Sequence, residues 1–231
     1  MLDITPTEWT AILLSLRVAA VATFVATPIG IALAWLLARR DFWGKSLLDA
    51  LVHLPLVLPP VVTGYLLLLA FGRKGPLGAL LADYLGIVFA FRWTGAALAC
   101  GVMSFPLLVR PIRLSIEAVD RRLEQAAETL GAAPWRVFAT VTLPLSLPGV
   151  LAGMVLGFAK AIGEFGATIT FVSNIPGETQ TISSAIYSLI QTPDGDTAAL
   201  RLVMVSIVIA VTALIGAEWF ARRATRRLHG N

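Results

Sequence analysis

Long apolar runs alternate along this chain with short segments that are basic, polar or broken by glycine and proline. A bilayer core of about 30 Å is crossed by roughly 20 apolar residues in a helix. Runs that approach this length cover Val18–Ala38, about Leu51–Phe71, Trp93–Val109, about Leu147–Ala167 and about Leu202–Trp219. The first helix is predicted to start near Thr7, because Thr5-Pro6-Thr7-Glu8 fits a capping box with proline at the first helical position. Pro55, Pro59 and Pro60 predict a kink or break in the first half of the second span, supported there by a neighbouring helix. Between Phe171 and Thr197 the chain is polar and punctuated by glycine and proline, so Ile182–Ile190 reads as an extracytoplasmic or partly re-entrant helix.

Composition turns this pattern into a class. Of the 231 residues, 57% are apolar and 14% charged, against roughly 25% charged in a soluble domain. A soluble fold of this length cannot hide so many apolar side chains, and a disordered chain is poor in them. The expectation is an all-α polytopic membrane bundle of about five transmembrane helices, forming a single domain over 1–231. Asp3 and Glu8 make the start acidic, and the run that follows is too long for a cleaved signal, so it is expected to stay as a span.

The net charge of +4 does not read as a nucleic-acid footprint, because the basic residues fall in clusters between apolar runs. Arg39, Arg40 and Lys45 follow span one. Arg110, Arg113, Arg121, Arg122 and Arg136 lie between spans three and four, and Arg222, Arg223, Arg226 and Arg227 follow span five. With five spans all of these share one side, opposite Arg73, Lys74 and Arg92. The positive-inside rule then places the amino terminus outside and the carboxyl terminus in the cytoplasm. Cys100 is the only cysteine, and His53 and His229 are the only histidines. An intrachain disulfide is excluded, and most catalytic dyads and zinc motifs lose their residues.

One polar segment is long and organised, from Arg110 or about 114 to about Ser146. Leu123, Ala126, Ala127 and Leu130 recur at helical spacing and give one apolar face. Gly131 is predicted to end that helix in a left-handed conformation, and Pro134 to open a second, reaching about Thr142 and stopping before Pro144. This helix–turn–helix suits docking into a groove of another protein; lying on lipid as an amphipathic hairpin is the alternative. Spacing separates the two. Gln125-Ala126-Ala127-Glu128-Thr129-Leu130-Gly131, nine residues, then Val141-Thr142-Leu143-Pro144 resembles the EAA loop of ABC importer permeases. That pattern begins with glutamate; here Gln125 holds the place and Glu124 stands immediately before it. Ala159-Lys160-Ala161-Ile162-Gly163-Glu164-Phe165-Gly166-Ala167-Thr168, with Ser173-Asn174-Ile175-Pro176-Gly177-Glu178-Thr179, looks like the molybdate/sulfate group of these permeases.

The resemblance implies an ABC importer type I permease of the bacterial inner membrane that carries molybdate into the cytoplasm. Sulfate/thiosulfate or tungstate transport is the alternative within the class. It implies a homodimer bound to two cytoplasmic ATPase subunits and served by a periplasmic oxyanion-binding protein. ATP and Mg are used by the ATPase, and this chain itself binds no cofactor and is not an enzyme. Glu124, Gln125, Ala126, Ala127, Gly131, Leu143 and Pro144 would couple the permease to the ATPase, whose closure would switch the spans from inward- to outward-facing.

Lys160 and Glu164 stand four apart near membrane depth, as a pathway element or as a structural ion pair. Thr168, Thr170, Ser173 and Asn174 offer weak donors to a passing oxyanion, where a strong cationic site would trap a divalent anion; bonding to their own backbone is the plainer reading. Thr63 and Gly64 are weaker candidates of the same kind. Arg17 either snorkels or meets a partner. Gly44-Lys45-Ser46 matches the tail of a phosphate loop, but Arg39 stands where the first glycine belongs. His53 reads as structural, and the arginine-rich tail as a topology signal that can also meet anionic lipid. A secondary, ion-coupled carrier is the reading from another class; it wants intramembrane acidic relays and an inverted repeat, and Glu164 alone fits.

Overall fold

The structure, a computed structural model, describes residues 4–229, with side chains to residue 216. Among the described residues it is all-helical. The order is α1 (Pro6–Arg39), α2 (Lys45–Val57), α3 (Pro60–Phe71), α4 (Pro76–Leu85), α5 (Trp93–Glu117), α6 (Arg121–Thr129) and α7 (Pro134–Val137). A π-helical turn (Phe138–Thr142) follows, then α8 (Leu143–Ile162), α9 (Gly166–Val172), α10 (Ile182–Leu189) and α11 (Asp196–His229). Among the described residues four helical stretches are long and apolar enough to cross a membrane: α1, α5, Pro134–Ile162 and the part of α11 up to Gly216. The pair α2–α3, bent by 115°, is a fifth if it counts as one span.

The start of α1 forms as its sequence dictates. The Thr5 hydroxyl accepts from the Glu8 amide, and the Glu8 carboxylate accepts from the Thr5 amide at 2.7 Å, both arms of the capping box. The same carboxylate accepts from Arg201 on α11 at 2.8 Å, so the first and last spans are tied at this end. Arg17 stacks on the Trp93 ring at 3.7 Å from its centroid, meeting a partner inside the chain.

Helix α5 is the hub: 61% of its apolar window is buried, against 11% for α11, which leaves α11 on the rim. Parallel to α5 runs α1, with Gly30 against Leu108 and Val109. Antiparallel to it runs α8, where Gly149 meets Pro111 and Ser115 while Gly153 meets Leu108 and Ile112. A Cβ at Gly153 would collide with the Leu108 carbonyl. Lipid is as apolar as leucine, so membrane helices gain contact by close approach of small residues. Many large apolar residues face outward, among them Phe24, Leu66, Leu69, Ile207 and Val208, as a lipid-facing surface requires.

The break predicted in the second span is present: it is two helices, because Pro59 and Pro60 withhold amide donors where a continuous helix needs them. Several other boundaries differ from the sequence reading. The third span continues past Val109 to Glu117 through Pro106 and Pro111, so the polar segment begins near Ala118 rather than at Arg110. The second helix of the hairpin does not stop before Pro144. It passes through the π turn into span four, and in that wider turn the Leu143 amide bonds the Phe138 carbonyl. The carbonyl four residues back, with which the Pro144 ring would collide in a regular helix, is thereby displaced. Span four ends at Ile162, not at Ala167, and restarts as α9. A short helix, α4, stands between α3 and α5, where the sequence pattern marks no element. The Ile182–Ile190 segment does form a helix, α10, and its buried Ile182 and Ala185 pack with Ala11, Ile12 and Leu202.

Arg39, Arg40 and Arg121 gather at one end of the bundle, around a cleft of about 250 Å³ between α1, α6 and the π turn. There Lys45, donating to Asp41 at 2.8 Å, holds the Asp41 carboxyl below the usual carboxylate range, and the Arg121 charge adds to the effect. Arg113 at that end bridges Asp49 of α2 and Glu117, each at 2.8 Å. His53 lies beside the Asp49 carbonyl, at 2.9 Å. Arg222, Arg223, Arg226 and Arg227 fall outside the described side chains.

Candidate functional site: a docking hairpin and a pair of broken spans

The hairpin that joins α5 to α8 is built by local rules. Asp120 caps α6, its carboxylate accepting from the Arg122 amide at 2.9 Å. Gly131, at φ +85°, ends the helix. The Gly131 amide bonds the Glu128 carbonyl and the Ala132 amide bonds the Ala127 carbonyl, the paired closure that a left-handed residue allows. Pro134 then opens α7.

No residue of α6 is buried. Leu123 is 50% exposed, Leu130 89% and Trp135 67%, so the apolar stripe read from the sequence points away from the bundle. Ala126 is exposed beside them and Ala127 half-buried, which leaves room for a close backbone approach. Gln125 and Glu128 lie on the other side of the helix, in the cleft with Arg39; an exposed apolar patch of this kind is a candidate interaction surface. The structure divides the sequence-predicted coupling residues. Gln125, Ala126, Ala127 and Gly131 lie on the outer helix and turn. Leu143 packs against the core at the root of α8, next to half-buried Pro144. Glu124 turns inward and is bonded to Arg39 and Thr142.

The second feature lies deeper. Helices α3 and α9 each start at a break and pack on each other. Gly64 faces Ala167 and Thr170, and Gly166 faces Pro60, with no space for a Cβ at Gly64. Glu164 sits in the break between α8 and α9 rather than on a continuous helix, and is 2% exposed. Its carboxylate accepts from Lys160 at 2.6 Å and from the Ala167 amide at 3.0 Å, so the buried charge is both paired and used as a cap for α9. The other predicted pathway residues do not join it in one cluster. Thr168 and Thr170 donate to the Phe165 and Gly166 carbonyls, at 2.9 Å each. Ser173 and Asn174 are at the far end of α9, about 10 Å along the helix. Asn174 donates to Ser188 at 2.7 Å, while its carbonyl oxygen is buried without a partner.

Sequence reasoning names Ser173 and Thr63 as candidates but misses the backbone strain at Ser173 and the part played by Thr179. Ser173 has φ +64° and ψ −160°, a region held almost only by glycine, which costs about 1–3 kcal/mol. Buried Thr179 knits the loop that holds it, accepting from the Ile175 amide at 2.9 Å and donating to the Ser173 carbonyl. The Thr63 hydroxyl, one residue before Gly64, is buried and unpartnered.

The ion pair is asymmetric: the Lys160 side chain is 30% exposed and that of Glu164 1%. Lys160→Met strands a buried carboxylate, whereas Glu164→Gln keeps an acceptor for Ala167 and leaves an ammonium that can turn to water. The lysine variant is expected to lose about 3 kcal/mol and the glutamine variant clearly less. Thermal unfolding of the solubilised protein checks the order, and equal losses would contradict this geometry.

The described residues form an all-helical bundle with an exposed helical hairpin set between two spans. Residues 26–226 match the family described as binding-protein-dependent transport system inner membrane component, and the chain belongs to that family. It is a component of a membrane transport system and not an enzyme. Over 224 residues it is 60% identical to the molybdenum transport system permease protein ModB of Escherichia coli (strain K12), covering 97% of this chain and 98% of that protein. Identity to the protein of the same name from Haemophilus influenzae is 57% over 221 residues, 96% of each chain. The fold is similar to the crystal structure of a bacterial ABC transporter involved in the import of the acidic polysaccharide alginate. The TM-score is 0.74 at 18% identity, over 95% of this chain and 80% of that one.

Proposed function

We propose that this chain is the membrane-spanning permease of an ATP-driven importer that carries molybdate into the cytoplasm. The observation that carries this reading is the 60% identity, over nearly the whole length, to a molybdenum transport permease. The exposed apolar face of α6 adds a physical reason for a separate motor: the chain presents a docking surface and contains no complete phosphate loop. In this reading the whole chain, 1–231, works as one unit beside a second copy of itself. Two ATPase subunits bind the paired hairpins on the cytoplasmic side and hold the ATP and Mg. A periplasmic oxyanion-binding protein delivers the substrate. The bundle end that carries Arg39, Arg40 and Arg121 faces the cytoplasm, which puts the amino terminus in the periplasm.

The crossing of α3 and α9 is the gate. Each is a half-span that moves about a break, and their glycine contacts let them close without side chains between them. Lys160, Thr168, Thr170, Ser173 and Asn174 line the route as weak or already paired donors, and Glu164 keeps the Lys160 charge from trapping a dianion. Tetrahedral dianions differ little in shape, so this chain discriminates little among them and the binding protein chooses.

Reconstitution with ATPase and candidate binding proteins tests the assignment. Uptake is expected to need ATP and to follow the binding protein, with molybdate and tungstate favoured over sulfate. Uptake by the purified chain without nucleotide would favour an ion-coupled carrier instead.

A further inference from the structure

No residue of helix α6 is buried, and its half-buried Glu124 turns into the cleft against α1 and the π turn, whose wall Gln125 and Glu128 also join. The Glu124 side chain is 15% exposed and that of Arg39 9%. A single oxygen, Oε1, accepts from Arg39 Nε at 3.1 Å and from the Thr142 hydroxyl at 2.6 Å. Arg39 Nη2 is 3.1 Å from the same oxygen and donates to the Val119 carbonyl at 3.0 Å. Arg39 is the last residue of α1, Val119 joins α5 to α6, and Thr142 closes the π turn that leads into α8. The Glu124 carboxylate therefore joins α6 to the ends of α1 and the π turn, and through Arg39 to the end of α5.

We propose that Glu124 is a positioning residue that transmits displacement of α6 to the spans, and that it does not itself contact the ATPase. Hydrogen bonds to a carboxylate are short and roughly twice as strong as neutral ones, so this junction is the stiffest polar link between the hairpin and the bundle. Its bond to Thr142 also fixes the register of the π turn, the place where a helix can most readily change its winding. Gln125, which holds the glutamate place of the EAA pattern, is exposed on the wall of the same cleft, and it is Glu124 that Arg39 and Thr142 bond. This inference rests on the docking reading of α6 and adds how the stroke leaves it.

The test uses the permease with its ATPase and a molybdate-binding protein in proteoliposomes. Glu124→Ala, Thr142→Val and the double variant are scored for ATPase co-purification and for molybdate imported per ATP hydrolysed. The ATPase is expected to co-purify with all three. Import per ATP is expected to fall about tenfold in each single variant, the scale of losing a charge-assisted bond from a coupled equilibrium. The double variant is expected to be no worse, because both changes remove one link. Glu124→Gln, which keeps an acceptor in place, is expected to fall between, and it supplies the result should the alanine variant not accumulate. An unchanged ratio in Glu124→Ala or Glu124→Gln, additive losses in the double variant, or loss of the ATPase from Glu124→Ala would each overturn the proposal. Failure of the docking reading itself shows differently: Ala127→Arg would then retain the ATPase and pump normally.

Discussion

Ala127→Arg is expected to bring molybdate uptake down to background and to strip the ATPase from the purified complex, while the permease still accumulates in the membrane. Ala127 is half-buried on a helix that contributes nothing to the core, so the fold has little to lose. In the docking reading the α6 face has much more to lose, because an arginine there would be buried unpaired against the partner. The cost is about 3 kcal/mol or more, roughly a hundredfold in affinity. Gly131→Ala is the graded companion. Nothing lies within 4 Å of a Cβ at Gly131, so only the left-handed backbone at φ +85° resists the change, at about 1–2 kcal/mol. The expected order is therefore wild type, Gly131→Ala, then Ala127→Arg, read by co-purification and by uptake in proteoliposomes. A normally pumping Ala127→Arg variant would remove α6 from the coupling path.

Gly153→Leu carries the second large effect, and it acts on the fold. Helices α5 and α8 pack closely, and a side chain at Gly153 enters the Leu108 backbone and the Ile112 side chain. Both helices would have to separate, and overpacking that the backbone must absorb costs about 1–3 kcal/mol or more. Close packing is what holds membrane helices together, so the variant is expected not to accumulate as folded protein. Gly157→Ala is the control. A Cβ there sits 3.5 Å from Leu108, an ordinary contact, and thermal unfolding should shift little. Equal behaviour of the two variants would mean that α8 does not pack as described.

What could be read from the sequence was mostly local chemistry. Thr5-Pro6-Thr7-Glu8 names its own cap, and Gly131 names the end of α6, because each is settled by residues within one turn. Apolar length finds the spans but not their packed faces, since lipid and core are both apolar and periodicity has little to contrast. The spacing of Gly149, Gly153 and Gly157 at every fourth position carries that information instead. The breaks were harder. Pro59-Pro60 announces one, but the stop at Ile162 depends on Glu164 turning to cap α9 while pairing with Lys160. The four-residue spacing pointed correctly to their contact and wrongly to one continuous helix. The π turn is equally hidden, because Pro144 alone predicts a stop and only the wider turn lets the chain continue. The choice between Glu124 and Gln125 could not be made from one sequence. It depends on Arg39 and Thr142, which are far away along the chain and close in space.

The central claim is that the apolar face of α6 sits in a cleft of a partner ATPase during transport. Leu130 projects furthest from that face, and the only native cysteine, Cys100, is buried, so Leu130→Cys offers one reactive site. In proteoliposomes that are importing molybdate, a short thiol crosslinker at residue 130 is expected to capture the ATPase, and lipid-soluble thiol reagents are expected to leave it largely unlabelled. Labelling by the lipid-soluble reagent without ATPase capture, in a complex that still pumps, would put the helix on the bilayer surface and contradict the account.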